Sequence, residues 1–399
     1  MLSLRYNNMD VSDLIKVTVR LVRTPDIPDR LHMPLFIGSQ KAGLPNNFGD
    51  GVDIVRTAVV NSLDAVAELG ISTTSEVYKM LNIWFSNGGQ QATLGIVRTE
   101  EVEGVNVEES FTEALNAIKE QNNVFYSIIP AFASNEDKAN IKTACLEVAS
   151  WCSSRTNFAS FIMRDVADFD SAVSDDLASA LKALNYDCCM VVADLENKNN
   201  IYALNTCNIA RAIMGQRGYY DLFLKGDDWQ GVETTKYTTS LTNALDDKNV
   251  SYYLIDYNGN RSYFTGKTPS GLSACVKIDT DYLKFSLENA LYSLFKRNGK
   301  IPNNRNSQLT IEAVIKQVVR QLQQEQVCDK LTKQEVADRF FGGIAKNVVG
   351  YDPNYGLALY MPDITKPENT PGGIYKGIIL YVKINGVVYG VHLDVVGSL

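Results

Sequence analysis

Histidine occurs only twice in these 399 residues, which removes most of the chemistry that ordinarily marks a catalytic or metal-binding protein. His32 precedes Met33-Pro34 and His392 lies near the end of the chain, and neither stands at metal-ligand or triad spacing from a Cys, Asp or Glu. Seven cysteines form no CxxC pair, and Cys188-Cys189 lie inside an apolar run, so reduced, buried thiols are expected. No metal or cofactor site is expected. There is no GxGxxG after a strand, no HExxH and no GxSxG. Gly266-Lys267-Thr268 has the tail of a phosphate loop, but Arg261 stands where its first glycine belongs and Pro269 bars the helix that should follow. Cationic charge is also scarce: 38 Lys and Arg against 46 Asp and Glu give a net charge of −8, with no basic run, and this argues against a nucleic-acid surface. No window holds eighteen uninterrupted apolar residues and the first twenty lack a signal-peptide core. A chain made in the cytosol, without direct membrane insertion, is the expectation.

What the sequence does contain is strand at both ends. In "DLIKVTVRLVRTPDIPD", Ile15, Val17, Val19 and Leu21 alternate with Lys16, Thr18 and Arg20, the period of a half-buried strand. Pro25 and Pro28 then favour an extended linker. At the other end, "YKGIILYVKINGVVYGVHLDVVGSL" reads as a hairpin, because Asn385-Gly386 suits a two-residue type I′ turn. That turn places Ile384 opposite Val387, Val382 opposite Tyr389, Leu380 opposite Val391 and Ile378 opposite Leu393. Burying these side chains is worth roughly 10–20 kcal/mol as an upper bound, and a lone ribbon is marginal in water. The last strand therefore either closes the protein's own sheet or pairs with another subunit.

Between the ends, 45% hydrophobic and 21% charged residues describe a globular chain long enough for two domains. From Pro34 to Asp194 the runs "PLFIG", "TAVV", "TLGIV", "VFYSIIP", "FASFIM" and "CCMVVAD" alternate with helical patterns. Helices are expected after Thr73-Thr74-Ser75-Glu76, read as a capping box, and near Glu109–Gln121, Glu136–Ser153, Ser174–Leu184 and Tyr202–Gln216. A helix near Tyr237–Asp247 and a surface hairpin turning at Asn258-Gly259 follow, then helices at Asp281–Arg297, Ser307–Gln326 and Lys333–Asn347. The expected fold is α/β: a mixed, largely parallel sheet with flanking helices in a central body, plus an α+β domain formed by the C-terminal third and the N-terminal strand, with extended terminal arms. The expected division is an arm over residues 1–30, an outer body over 31–272, a helical part of an inner domain over 273–368 and terminal strands over 369–399.

This order of features resembles the contractile-tail sheath proteins of bacteriophages and phage-like injection particles. The residues that carry the resemblance are the N-terminal strand and its linker, "PLFIG", "SEVYKMLNIWFSNGGQQATLGIVR", "NVFYSIIP", "IKTACLEVASWC" and "GKIPNNRNSQLTIEAVIKQVVRQL". The likeness is one of order and local texture over most of the chain, and the insert "YDPNYGLALYMPDITKPENTPGG" departs from it. It implies a non-enzymatic structural subunit of a virion tail, assembled in the host cytoplasm. Its partners would be further copies of itself in stacked rings, an inner tail tube, and baseplate and terminator proteins. Contraction would drive the tube through a cell envelope. Terminal strands exchanged between copies would use Ile15, Val17, Val19 and Leu21 at one end and Val387, Tyr389, Val391, Leu393 and Val395 at the other. The tube would meet Lys333, Arg339 and Lys346 if it is acidic.

Two other readings compete. One is a cytosolic α/β enzyme for a small polar substrate, with Asp227 and Asp228 near a pocket at the carboxyl ends of the strands. The other is a different self-assembling surface or tube subunit.

Overall fold

The structure is a computed structural model, and it describes residues 15–19, 31–49, 53–102, 104–122, 124–194, 229–232, 236–255, 259, 261–264, 266–299, 301–371, 374–384, 387–389 and 393–398. Two compact units divide the chain: one spans Pro28–Lys277, and the other joins Met1–Ile27 to Ile278–Leu399.

The first described strand, β1 (Ile15–Val19), belongs to the discontinuous unit. The continuous unit then supplies β2 (Pro34–Gly38), β3 (Thr57–Val60), β4 (Ala92–Ile96), β5 (Thr99–Val102), β6 (Val105–Glu108), β7 (Ser127–Pro130), β8 (Phe158–Met163), β9 (Cys189–Ala193), β10 (Tyr252–Ile255) and β11 (Arg261–Phe264). Six of these form one sheet in the order β3-β4-β2-β7-β8-β9, parallel throughout except for the edge strand β3. Every residue of β2, β4, β7, β8 and β9 is buried, as a parallel sheet covered on both faces requires, and this is why those segments read as continuous apolar runs.

Helices α1 (Leu63–Glu68), α2 (Glu76–Ser86), α3 (Phe111–Gln121), α4 (Lys138–Ser153), α5 (Leu177–Ala183) and α6 (Thr239–Asp247) accompany the sheet. Their starts follow side-chain capping. Ser110 and Glu113 form a reciprocal box, and Asp137, Asp176 and Thr238 cap the next three helices. At α2 the expected box is corrected: Ser75, not Thr73, is the cap and accepts from the Tyr78 amide. Glu76 is then the first helical residue and pairs with Lys79 at 2.7 Å.

The hairpin β10–β11 exists; its turn end is exposed at Ile255, Gly259 and Arg261, but the rest packs inward. Tyr252, Tyr253 and Tyr263 are buried, and Trp229 packs on the last two with ring centroids 5.0 and 5.5 Å apart. The Gly266-Lys267-Thr268 stretch closes a turn: Thr268 is buried and its amide donates to the Leu272 carbonyl at 2.8 Å. The expected helix at Tyr202–Gln216 lies outside the described residues.

The discontinuous unit is antiparallel. A long helix, α7 (Ala274–Asn298), leads into it, followed by α8 (Arg305–Gln324), β12 (Cys328–Asp329), α9 (Lys333–Phe340), β13 (Tyr351–Asp352), β14 (Leu357–Tyr360), β15 (Ile374–Tyr375), β16 (Ile379–Ile384), β17 (Val387–Tyr389) and β18 (Leu393–Ser398). Leu283, Leu287, Leu291 and Leu294 on α7 share a core with Ile311, Ile315, Val318 and Leu322 on α8 and with Leu357, Leu380, Val382 and Ile384 of the sheet. Helix α7 begins seven residues before the expected Asp281. Its early turns bury Lys277, Asp279, Asp281, Lys284 and Glu288. Helix α9 stops at Phe340, not Asn347, because Gly342 and Gly343 take φ values of +62° and +77°.

Candidate assembly interface

The functional question concerns the chain ends, and the ladders there are specific. Strands β16 and β17 form the expected hairpin, with Ile384 opposite Val387 and Val382 opposite Tyr389. The hairpin is short. Leu393 does not continue it to Ile378; it stands opposite Val19 of β1. The chain therefore leaves the ribbon after three pairs, and β18 becomes the centre of a separate sheet, β1-β18-β15. The insert at 351–373 supplies the strand that takes the vacated role: β14 runs antiparallel to β16, with Leu359 opposite Leu380.

In the β1–β18 ladder, Ile15 stands opposite Gly397, Val17 opposite Val395 and Val19 opposite Leu393. Strand alternation puts these six positions on one face, and Lys16, Thr18, Asp394 and Val396 on the other. The periodicity read separately in two remote segments thus meets in one register. Gly397 is flanked on both sides, by Ile15 and by Tyr375. Among the described residues, no strand pairs with the outer edge of β1. Leu21 and Val391 lie outside the described residues, as do Asp227, Asp228 and His392.

Lys333, Arg339 and Lys346 are exposed, the first two on α9 and the third in a 3₁₀ turn over Ala345–Asn347. Val336 and Ala337 fix α9 in a small core with Leu331, Val348, Ala358 and Tyr381. Thr332 and Glu335 box its start, and these hydrogen bonds hold the Glu335 carboxyl below its usual range.

The parallel sheet does carry concavities at the carboxyl ends of its strands. One, of about 400 Å³, lies beyond the carboxyl ends of the paired strands β2 and β7 and is lined by Ser39, Lys41, Glu108, Phe132 and Glu147. Among its charged groups, Lys41, Glu108 and Glu147 are engaged within the chain. Glu147 accepts from the Phe111 amide at 2.8 Å, at the start of α3 where an anionic ligand would otherwise be drawn, and Lys41 pairs with Glu108 at 3.2 Å. A second, of about 450 Å³, holds Arg164, Lys138, Asp165 and Asp168. Lys138 lies 3.3 Å from Asp165 and 3.2 Å from Asp168, and the hydrogen bonds it donates to Asp168 and Asp165 raise its pKa. Neither lining includes histidine or cysteine. Six cysteines are described, all buried and none in a disulfide, and burial pushes the Cys145, Cys152 and Cys189 thiols up. Among the described residues no group of His, Cys, Asp and Glu is placed to hold a metal ion, and no helix is long and apolar enough to cross a membrane.

No family model matches the sequence, and no curated protein matches it. Solved structures do match in fold. The anti-feeding prophage baseplate contains a chain that superposes with a TM-score of 0.60 at 12% identity, covering 98% of this chain and 96% of that one. The chain has the fold of a contractile sheath protein. The sheath complex of PVC, an extracellular contractile injection system in its contracted state, superposes with a TM-score of 0.57 at 13% identity, over 98% of this chain and 94% of that one. The sheath tail protein from Listeria innocua gives 0.53 at 8% identity, over 91% and 94%. The sheath fold accounts for both units, the mixed parallel sheet and the separate antiparallel domain.

Proposed function

We propose that this chain is the structural subunit of a contractile sheath, which polymerises around an inner tube by exchanging terminal strands and contracts to drive that tube through a cell envelope. The sheath fold over nearly the whole chain supports the structural role. The observation that carries the exchange is the β1–β18 ladder, in which strands from opposite ends of the sequence meet with no described strand on the outer edge of β1. A ladder that one copy's β1 makes with its own β18 can be made in the same register with the β18 of a neighbour; the hydrogen bonds are unchanged and only the linker path differs. Residues 20–30, with Pro25 and Pro28, are that linker. Segments Arg23–Asp29 and Asn369–Gly373 serve as hinges while the bodies rotate.

On this reading Ile15, Val17, Val19, Leu21, Val387, Tyr389, Val391, Leu393 and Val395 are subunit-interface residues, and Lys333, Arg339 and Lys346 face the tube. Baseplate and terminator proteins close the two ends of the polymer in a virion tail. The work is mechanical, with no catalytic step.

Negative-stain electron microscopy of the full chain beside a version lacking residues 1–22 tests the reading. Tubes or rings are expected from the full chain and dispersed particles from the shortened one. Monodisperse monomers from both would instead favour a ligand-binding α/β protein using the cavities described above.

A further inference from the structure

Strands β5 and β6 form a two-stranded ribbon that joins no larger sheet among the described residues. Its register, Glu100 opposite Val107 and Val102 opposite Val105, places these four positions on one face. Val105 is 62% exposed and Val107 48% exposed, so this face has two large β-branched side chains in water. The ten residues Thr99–Glu108 carry four glutamates and no cation, and Arg98 just before them pairs with Glu100 at 2.8 Å. Its base is held by Asn46, which bonds the Thr99 backbone in both directions at 2.8 Å, and by Lys41 on Glu108, while Glu101 is exposed. A lone ribbon with two exposed valines beside Glu100 is marginal in water and marks a contact surface.

A feature of complementary charge exists in the other unit. There, a depression of about 620 Å³ is lined by Arg320, Gln323, Gln324, Lys330, Asn354 and Tyr355, with two cations and no carboxylate. Arg320, Gln324, Lys330 and Asn354 are exposed. Gln323 donates to the Tyr355 carbonyl at 2.6 Å and Tyr355 lies 5.8 Å from the Lys316 ammonium, so the floor is shaped by fixed contacts.

We infer that the acidic β5–β6 ribbon of one copy docks in the Arg320–Lys330 depression of a second copy, a lateral contact that assembly would use in addition to strand exchange. The inference rests on the sheath reading for its setting, and on charge complementarity and the uncovered ribbon for its partners. Opposed charges at such a contact select the partner and fix its register.

Paired charge reversal, with pelleting of polymer as the readout, tests it. Glu101→Lys and Lys330→Glu, each alone, are expected to lower pelletable polymer about tenfold, and the variant carrying both is expected to recover most of it. A merely misfolded single variant would not be rescued by its partner. A second measurement does not need a polymer. Separate Glu101→Cys and Lys330→Cys chains are mixed in concentrated solution and oxidised with copper phenanthroline, and a covalent heterodimer is expected from the mixture. If wild type pellets and the shortened chain does not, while the reversals change nothing and the mixture gives no heterodimer, docking is overturned and the sheath reading stands. If wild type never pellets but the heterodimer forms, docking stands and the sheath reading fails.

Discussion

Val17 stands directly opposite Val395, 378 positions away in the chain, in the ladder that joins the two termini. Cysteines at both positions can be bridged across a strand pair. After oxidation of Val17→Cys/Val395→Cys protein assembled at high concentration, a non-reducing gel is expected to show a ladder of covalent multimers. A single monomer band would mean that the pairing stays within one copy, and strand exchange would be wrong.

The Lys248–Asp176 pair, at 2.7 Å with side chains 7% and 0% exposed, ties α6's C-terminal cap to α5's N-terminal cap. Lys248 also donates to the Asp168 carbonyl at 2.7 Å. Removing the ammonium leaves an uncompensated buried carboxylate, so Lys248→Met should cost about 3–5 kcal/mol at pH 7 in urea unfolding. Lys248→Met with Asp176→Asn should cost less, because the orphaned charge is gone.

The pH dependence of that pair has a definite sign. Burial raises the Asp176 pKa, but hydrogen bonds from Lys248 and Ser179 outweigh it, and the net shift is downward. A carboxyl lowered in the folded state contributes stability above its unfolded pKa, about 3.9, and loses it as pH falls through the folded value. In Lys248→Met the uncompensated buried carboxylate takes up its proton above its unfolded pKa, so the gap between wild type and Lys248→Met should narrow as pH falls from 7 and go on narrowing below about pH 4. A gap that widens on acidification would contradict the assignment.

Thiol reactivity reports the burial of both units' cores. With 5,5′-dithiobis(2-nitrobenzoate) at pH 8, the six described cysteines are expected to stay silent in the native protein, because burial keeps them out of reach. All seven cysteines of the chain should titrate in guanidinium. Rapid modification of more than one native thiol would show that the packing around at least one described cysteine opens.

Gly350 takes φ +70°, and a Cβ there would lie 1.9 Å from the Leu359 carbonyl oxygen. The close approach belongs to the turn before β13, where the Leu359 amide donates to the Gly350 carbonyl at 3.1 Å. Gly350→Ala should lower stability by more than about 1 kcal/mol, seen as a lower melting temperature. Gly104, also at positive φ but with open space around its Cβ position, pays only the backbone strain and should be the milder substitution.

Much of this fold is legible locally. The six apolar runs of the body sheet and helices α3, α4 and α8 announce themselves through hydrophobic period and caps such as Ser110 and Asp137. The misreadings share a cause. Helix α7 begins early because Lys277, Asp279 and Asp281 are interior, and no residue's own identity declares that a charge will be buried. At α2, Thr73, Thr74 and Ser75 are all competent caps, and packing selects Ser75. Of the interface, the alternation of Ile15, Val17 and Val19 is plain, whereas the hairpin extended to Leu393 by local rules ends sooner because a remote strand competes for the same backbone.

The sequence by itself determined that both chain ends are strands with an apolar face, since alternation is a property of consecutive residues. It also determined that catalytic histidine and metal chemistry have few residues to draw on. Only the tertiary structure decided which strands meet: that β18 leaves β17 to lie between β1 and β15, and that β14 takes the place beside β16. Strand pairing is a choice among distant segments made by competition for shared hydrogen bonds and core volume, and no short stretch of chain contains the terms of that competition.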